Sequence, residues 1–149
     1  MKVAFDENIP IGMVRVFQTL AAEGQILEAE IHYAGDYRPT GERGDENWIV
    51  RFAKDGGNVI VSGDERMRSL PQERAALAQT GMITFFFDSQ WSSKNFFVKA
   101  AMLLNWWPKI MDVAKNSEPG QCWQIPFAWN WTNMRDVTPP TTETTERRR

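Results

Sequence analysis

Residues 58–68, with the sequence N-V-I-V-S-G-D-E-R-M-R, constrain the fold of this chain more than any other stretch. Residues 59–61 are apolar and β-branched, glycines lie on both sides of them, and two acids, Asp64 and Glu65, follow. Such a run is typical of a strand that is buried on both faces of a parallel sheet. Ligands of open α/β sheets bind outside the carboxyl ends of the strands, so these acids stand where chemistry is expected.

The same pattern occurs at the start of the chain, where apolar residues lead into Asp6 and Glu7. A third acid, Asp45, stands at the predicted start of the helix that leads into the strand described above. A single acid after a strand is more typical of a helix cap or a turn. Three acids at one end of a sheet, however, repel each other unless they bind a cation or share a proton. We therefore expect Asp6, Asp45 and Asp64 to meet at the carboxyl end of the sheet.

Composition narrows the class of protein. The chain has 149 residues, a net charge of −2 and 42% hydrophobic residues, which is enough for one domain with its own core. No apolar run is long enough to span a bilayer, and the first residues predict a strand instead of a signal peptide. Cys122 is the only cysteine, so no disulfide can form within the chain. These features predict a cytoplasmic protein with no membrane partner and exclude a surface that is basic throughout.

Alternating strand and helix patterns predict an α/β fold, a three-layer α/β/α sandwich with a mainly parallel sheet of four to five strands. The predicted strands are residues 2–6, 25–33, 58–62 and 82–87, with a short edge strand at 121–126. The predicted helices begin near Pro10, Asp45, Pro71 and Ser92. Pro108 is expected to kink or divide the last helix. We expect residues 1–131 to form the domain and the polar residues 132–149 to form a disordered tail.

The predicted acid cluster suits a hard divalent cation. Carboxylate oxygens without histidine or cysteine select Mg²⁺ or Mn²⁺, and such a cation can activate water and stabilise the charge on a phosphodiester. Asp6, Asp45 and Asp64 are the predicted catalytic and metal-binding residues. The further candidate ligands are Glu7, Glu65 and Asp88, and the candidate substrate contacts are Ser62, Arg66 and Arg68. For the two arginines, a solvated loop is an equally good interpretation.

Two segments of the chain resemble a known family, the PIN-like domains. They are D-E-N-I-P at 6–10 and D-E-N-W-I-V-R-F-A-K-D-G-G-N-V-I-V-S-G-D-E-R-M at 45–67. More narrowly, they resemble the short VapC-type toxins of toxin–antitoxin pairs. In that family one Asp closes the first strand, a second opens a helix, and a later strand leads to Thr- or Ser-x-Asp, here residues 62–64. The resemblance covers about residues 1–90. It implies a metal-dependent endoribonuclease toxin that cleaves RNA and is held inactive by an antitoxin.

One part of the family pattern is missing. Full-length PIN domains carry a further Glu on a helix between the first two acids, and residues 25–44 show no clear helix for it. Glu7, Glu28 and Glu30 are the nearby candidates, and the sequence does not choose among them. A second interpretation is therefore a PIN-like fold that has lost activity and only binds a partner. A third is a phospho-acceptor receiver domain with Asp64 as the acceptor, but the lysine that this fold needs after a late strand is absent.

Tryptophans are concentrated in the last third of the chain, at Trp106, Trp107, Trp123, Trp129 and Trp131. We expect Trp107 to pack in the core. We expect Trp129 and Trp131 to contact a partner, either an antitoxin or a second copy of the chain in a homodimer, because tryptophan is enriched at protein interfaces. His32 is expected to be structural.

Overall fold

The computed structural model describes residues 1–140, except for the side chains of residues 65 and 66. Its strands form a single six-stranded sheet: β1 (Lys2–Phe5), β2 (Glu30–Tyr33), β3 (Val59–Ser62), β4 (Ile83–Phe87), β5 (Cys122–Ile125) and β6 (Arg135–Asp136). Their order across the sheet is β2-β1-β3-β4-β5-β6, and every neighbouring pair is parallel except β5 with β6. The parallel pairing brings the carboxyl ends of β1 and β3 to the same edge of the sheet.

Helices cover both faces of this sheet. The α-helices are α1 (Ile11–Ala22), α2 (Glu46–Lys54), α3 (Pro71–Thr80) and α4 (Phe96–Asn116), and short 3₁₀ helices lie at Ala34–Tyr37, Glu65–Arg68 and Ser89–Ser93. One buried cluster joins α1 and α4 to the sheet, and a second joins α2 and α3 to the opposite face. The predicted α/β/α sandwich with a mainly parallel sheet is confirmed. Among the described residues, no helix is long and apolar enough to cross a membrane.

The central strands show why their sequences are apolar throughout. In β3, Val59 and Val61 belong to the cluster under α1 and α4, whereas Ile60 belongs to the cluster under α2 and α3. Successive side chains of a strand point to opposite faces, so a strand between two helical layers buries every side chain. In β1, Phe5 and Ala4 divide between the two clusters in the same way.

The second strand is shorter than the predicted segment 25–33. Only Glu30–Tyr33 pair with β1, and the residues before them form bends. Glu28 adopts a φ of 54°, a left-handed conformation that no strand contains. The alternation of apolar and polar residues before position 30 therefore reflects packing of a loop: Leu27 is buried, and its carbonyl accepts a hydrogen bond from Trp107.

The predicted disordered tail, residues 132–149, includes residues that are part of the sheet. Residues 135–136 form β6, which pairs antiparallel with β5 and adds a sixth strand to the predicted four or five. The Val137 N–H donates to the Cys122 carbonyl at 2.8 Å, and Met134 is buried. A two-residue strand held by backbone hydrogen bonds has no side-chain period that the sequence could reveal. The rest of the predicted tail, residues 141–149, lies outside the described residues.

Helix α4 continues past Pro108 as one element, so the predicted division of the helix is wrong. It begins at Phe96, after the 3₁₀ helix Ser89–Ser93, because Asn95 caps it by accepting a hydrogen bond from the Val98 N–H. The Pro108 ring is exposed, while Trp106 and Trp107 are buried on the sheet side. This apolar packing holds the helix together across the proline, and Trp107 is a core residue as predicted.

Replacing Pro108 with alanine should therefore stabilise the protein. A proline inside a helix costs about 3 kcal/mol relative to alanine, because it lacks the N–H that bonds to the carbonyl four residues earlier. Proline also restricts the unfolded chain, which offsets roughly 1 kcal/mol of this cost. We expect urea denaturation to show a free energy of unfolding that is about 1–2 kcal/mol higher in Pro108→Ala. Lys109→Ala, next to it, should change this value by less than about 0.5 kcal/mol. A loss of stability in Pro108→Ala would contradict the prediction.

Candidate active site

The candidate site forms where β1 and β3 end side by side. Phe5 pairs with Val61 in the sheet, and the Asp6 N–H continues the ladder by donating to the Val61 carbonyl at 3.0 Å. The residue after Val61, Ser62, is thereby placed beside Asp6, and its hydroxyl donates to Asp6 Oδ2 at 2.9 Å. The same hydroxyl oxygen accepts a hydrogen bond from the Asp64 N–H at 3.0 Å. Ser62 therefore links Asp6 to the loop that carries Asp64.

Asn8 ties the two loops together a second time. Its side-chain amide donates to Asp6 Oδ2 at 3.1 Å, and its Oδ1 accepts from the Gly63 N–H at 3.0 Å. The Glu7 N–H donates to the other oxygen, Asp6 Oδ1, at 2.7 Å. The sequence by itself assigned no role to Asn8. Its position two residues after an acid that ends a strand is a signal of this role, because an amide offers a donor and an acceptor together.

The Asp6 carboxyl is 5% exposed. Burial, together with the negative charges of Asp45 and Asp64, raises its pKa from 3.8 to about 6, although the hydrogen bonds from the Ser62 hydroxyl and the Glu7 N–H lower it. The structure thus places Asp45 and Asp64 close enough to Asp6 for their charges to act on it. The three acids come from different parts of the fold: Asp6 follows β1, Asp45 precedes α2, and Asp64 lies in the loop after β3.

Asp45 precedes α2 in the N-cap position, but its side chain does not cap the helix. Instead, Asp45 Oδ1 accepts a hydrogen bond from Trp48 Nε1 at 2.9 Å and forms an ion pair with Arg38. Trp48 is fully buried in the core under α2 and α3. The indole of Trp48 and the guanidinium of Arg38 therefore fix this carboxylate in place of a helix cap.

A fourth acid, Glu73, approaches Asp45 from α3. Its side chain is in the first turn of that helix, it is 5% exposed, and its Oε1 accepts a hydrogen bond from the Asp45 N–H at 3.4 Å. The sequence predicted only a helix start there. A glutamate in the first turn of a helix is ordinary, so nothing local distinguishes this one from a surface residue. Its burial follows from the packing of α3 against α2.

The three candidates for the glutamate that the family carries between its first two acids lie in different places in the structure. Glu30 pairs in register with Lys2 at the beginning of β1, and Glu28 forms an ion pair with Lys115 at the end of α4. Both positions are at the amino end of the sheet, away from Asp6. Of the three predicted candidates, only Glu7 lies beside the acids, where it forms an ion pair with Arg38. His32 contacts Glu30 at 3.1 Å and packs on Phe52, which fits a structural role.

The other residues that the sequence suggested for the site are Asp88, Arg68, Glu65 and Arg66. Asp88, at the end of β4, caps the next 3₁₀ helix by accepting from the Gln90 N–H at 2.9 Å. The charge of Arg68 lowers the pKa of the Cys122 thiol, although burial dominates and raises it to about 11. Cys122 belongs to the core under α2 and α3, so Arg68 is associated with that face. The side chains of Glu65 and Arg66 are outside the described part of the chain.

A cleft of about 520 Å³ opens next to Asp64 at the same end of the sheet. Asn8, Gly63, Asp88 and Lys99 also line it. The rings of Phe87 and Trp91, which line it as well, are stacked with centroids 4.0 Å apart. The cleft thus combines an aromatic pair with the carboxylates of Asp64 and Asp88.

The chemistry of the donor set fits a hard divalent cation. Asp6, Asp45 and Asp64 supply carboxylate oxygens only, and their mutual repulsion is the kind that a bound Mg²⁺ or Mn²⁺ relieves. Among the described side chains, however, no three His, Cys, Asp or Glu residues form a ready-made group for a metal. Asp45 Oδ1 is also already bonded to Arg38 in this structure.

Comparison with known proteins identifies the family. Residues 1–89, more than half of the chain, match the family model described as PIN like domain. The matched segment contains β1 to β4 and all the acids described above. No curated protein and no solved structure matches the chain.

The raised pKa of Asp6 predicts a pH dependence of stability. The folded state holds this proton more tightly than the unfolded state, so ionisation of Asp6 destabilises the fold. In metal-free buffer, the free energy of unfolding should fall as the pH rises from about 4 to about 6.5, by roughly 3 kcal/mol from this group alone at most. Asp6→Asn should remove this fall, whereas Asp112→Asn on the exposed side of α4 should keep it. An unchanged pH slope in Asp6→Asn, measured by urea denaturation, would contradict the pKa assignment.

Proposed function

Because the chain belongs to the PIN-like domain family, whose members are commonly nucleases, we propose that it is a metal-dependent endoribonuclease. The observation that carries this proposal is the buried Asp6, which two further acids from separate elements influence at the carboxyl end of the sheet. A fold with no use for this charge gains nothing from it, because each ionised acid there destabilises the others. A site for a hard cation explains why the charge is present.

The proposed division of work follows from the contacts. Asp6, Asp45 and Asp64 would hold Mg²⁺ or Mn²⁺, and the bound cation would supply water activation and stabilisation of charge on the phosphodiester. Ser62 and Asn8 position Asp6 by donating to its Oδ2. At neutral pH Asp6 is mostly ionised, since its pKa is about 6, so it carries the negative charge that would bind the cation. The cleft beside Asp64 would take the RNA strand.

We further propose that the protein is the toxin of a type II toxin–antitoxin pair of the VapC type, acting in the cytoplasm. The support is the resemblance of residues 6–10 and 45–67 to such toxins, together with an exposed aromatic surface near the end of the domain. Trp129 and Trp131 are 55% and 51% exposed, a large apolar area for a side chain that is usually buried. This surface suits an antitoxin protein, or a second copy of the chain in a homodimer.

Activity should depend on Asp64. Asp64→Asn keeps the shape of the side chain but removes the charge that a hard cation requires. We expect this variant to lose Mn²⁺-dependent cleavage of a fluorescent RNA by at least about a hundredfold, within the range of effects for a group that supports metal-assisted chemistry. It should remain folded, because one of three repelling charges is removed.

Asp112→Asn is the matched control, since it makes the same chemical change on the exposed side of α4. It should cleave like the wild type. Cleavage by Asp64→Asn equal to that of the wild type at saturating Mn²⁺ would remove Asp64 from the site and most of the support for the nuclease. Omitting Mn²⁺ from the wild-type reaction tests the metal itself, and undiminished cleavage would reject the metal dependence.

An antitoxin is expected to be encoded beside its toxin, so a small protein found in the neighbouring reading frame provides the test of the partner surface. Trp129→Ala should weaken its binding to this chain by about tenfold or more, because exposed tryptophans that enter an interface often dominate its affinity. Ile26→Ala removes another exposed apolar side chain and should leave the affinity unchanged. Equal affinity of Trp129→Ala and the wild type, measured by calorimetry, would exclude this tryptophan from the interface.

A specific observation favours a second candidate, a PIN-like module that binds a partner without cleaving RNA. Arg38 neutralises part of the acid cluster from within the chain, as a site that has lost its metal would require. The Mn²⁺-dependent cleavage assay separates the two candidates. The match of residues 1–89 to PIN-like domains favours both of them over a receiver domain.

A further inference from the structure

Arg38 is the cation of the acid cluster in this structure. Its Nε donates to Glu7 Oε1, one Nη donates to Asp45 Oδ1, and the other donates to the Gly44 carbonyl. The side chain is 17% exposed, so most of its hydration has been replaced by these contacts. Burial by itself would lower the pKa of Arg38, but the bonds to Glu7 and Asp45 raise it. One guanidinium therefore bridges two acids that come from different loops.

The backbone presents Arg38 to the acids from the connection between β2 and α2. The residue is extended, with φ −112° and ψ 116°, as expected for a residue before proline. The connection is attached to α2 by a second ion pair, in which both oxygens of Glu42 accept from Arg51 at 2.9 and 3.0 Å. Arg51 also donates to the Tyr37 carbonyl at 2.9 Å, just before Arg38. These contacts hold the loop independently of what Arg38 binds.

Arg38 and a divalent cation would both bind the carboxylate of Asp45. Asp45 Oδ1 already accepts from both Arg38 and Trp48. A divalent cation requires carboxylate oxygens at about 2.0–2.6 Å and repels a guanidinium at that distance. Among the described side chains, no three His, Cys, Asp or Glu residues form a group that could hold a metal. Arg38 and a divalent cation compete for Asp45 Oδ1, because both are positively charged and both require its lone pairs.

We propose that Arg38 is a built-in counter-ion that holds Asp45 and Glu7 when the site has no metal and is displaced from Asp45 when a divalent cation binds. The exchange keeps the acids close together without a metal, and it sets a threshold for metal binding, because each cation must first break the ion pair. This inference rests on the proposed metal-dependent function and adds a residue that no part of the family resemblance includes.

The test measures metal affinity, not activity. Mn²⁺ is titrated into the full-length protein by calorimetry in chelator-treated buffer. Arg38→Gln retains a polar side chain but has no charge, so Mn²⁺ no longer competes with a cation for Asp45. We expect this variant to bind Mn²⁺ at least about tenfold more tightly than the wild type. Equal or weaker binding by Arg38→Gln, including no binding, would overturn the proposal.

Arg51→Gln is the matched control, because it makes the same change of charge in the neighbouring ion pair with Glu42. Its Mn²⁺ affinity should stay within about threefold of the wild type. If Arg51→Gln gained as much affinity as Arg38→Gln, the effect would come from net charge alone and the proposal would be wrong.

A measurement on the wild type removes any dependence on how well the variant folds. The Nε–H resonance of Arg38, identified by its absence from the spectrum of Arg38→Gln or Arg38→Lys, should shift as Mg²⁺ saturates the protein. Saturation by Mg²⁺ with no change in this resonance would overturn the exchange while leaving the proposed metal-dependent function intact. That function fails separately, if RNA cleavage does not require a metal.

Discussion

Mutual repulsion among acids at the mouth of the sheet is the constraint to which the other features of this site respond. Asp6 is buried where two strands end, and its charge is unfavourable there because of burial and because of Asp45 and Asp64. Several contacts offset this cost: the Ser62 hydroxyl, the Asn8 amide and the Glu7 N–H all donate to the Asp6 carboxyl. Perturbed acids of this kind cluster at functional sites, and the PIN-like domains, to which this chain belongs, are commonly nucleases.

The scaffold explains how acids from distant parts of the sequence meet. Parallel pairing of β1 with β3 brings two carboxyl ends together, and the helical layer of α2 and α3 places Asp45 and Glu73 over the same edge. The core residue Trp48 contributes directly, because its indole N–H orients Asp45. Core packing and site geometry are therefore coupled on this face of the sheet. The opposite face, under α1 and α4, buries Trp91, Trp106 and Trp107, of which Trp91 lines the cleft.

Arg38 supplies a positive charge within the acid cluster, which the carboxylates alone do not have. It offsets the charge of Glu7 and Asp45 in the same region where a divalent cation is proposed to act. An internal arginine and a bound metal are two alternative sources of the positive charge that offsets these acids. This explains why the acids can stay together in a structure whose described side chains include no complete metal-binding group.

The sequence by itself determined the layered α/β architecture, since the continuous apolar runs of β1 and β3 can only be buried between two helical layers. It also determined that Asp6 and Asp64 follow strands, because strand ends and acids are local features. It did not reveal the pairing of β6 with β5, the burial of Glu73 or the ion pairs of Arg38. Each of these depends on contacts between residues far apart in the chain. Local patterns report which face of an element is apolar, but only the packed structure decides which polar groups share one pocket.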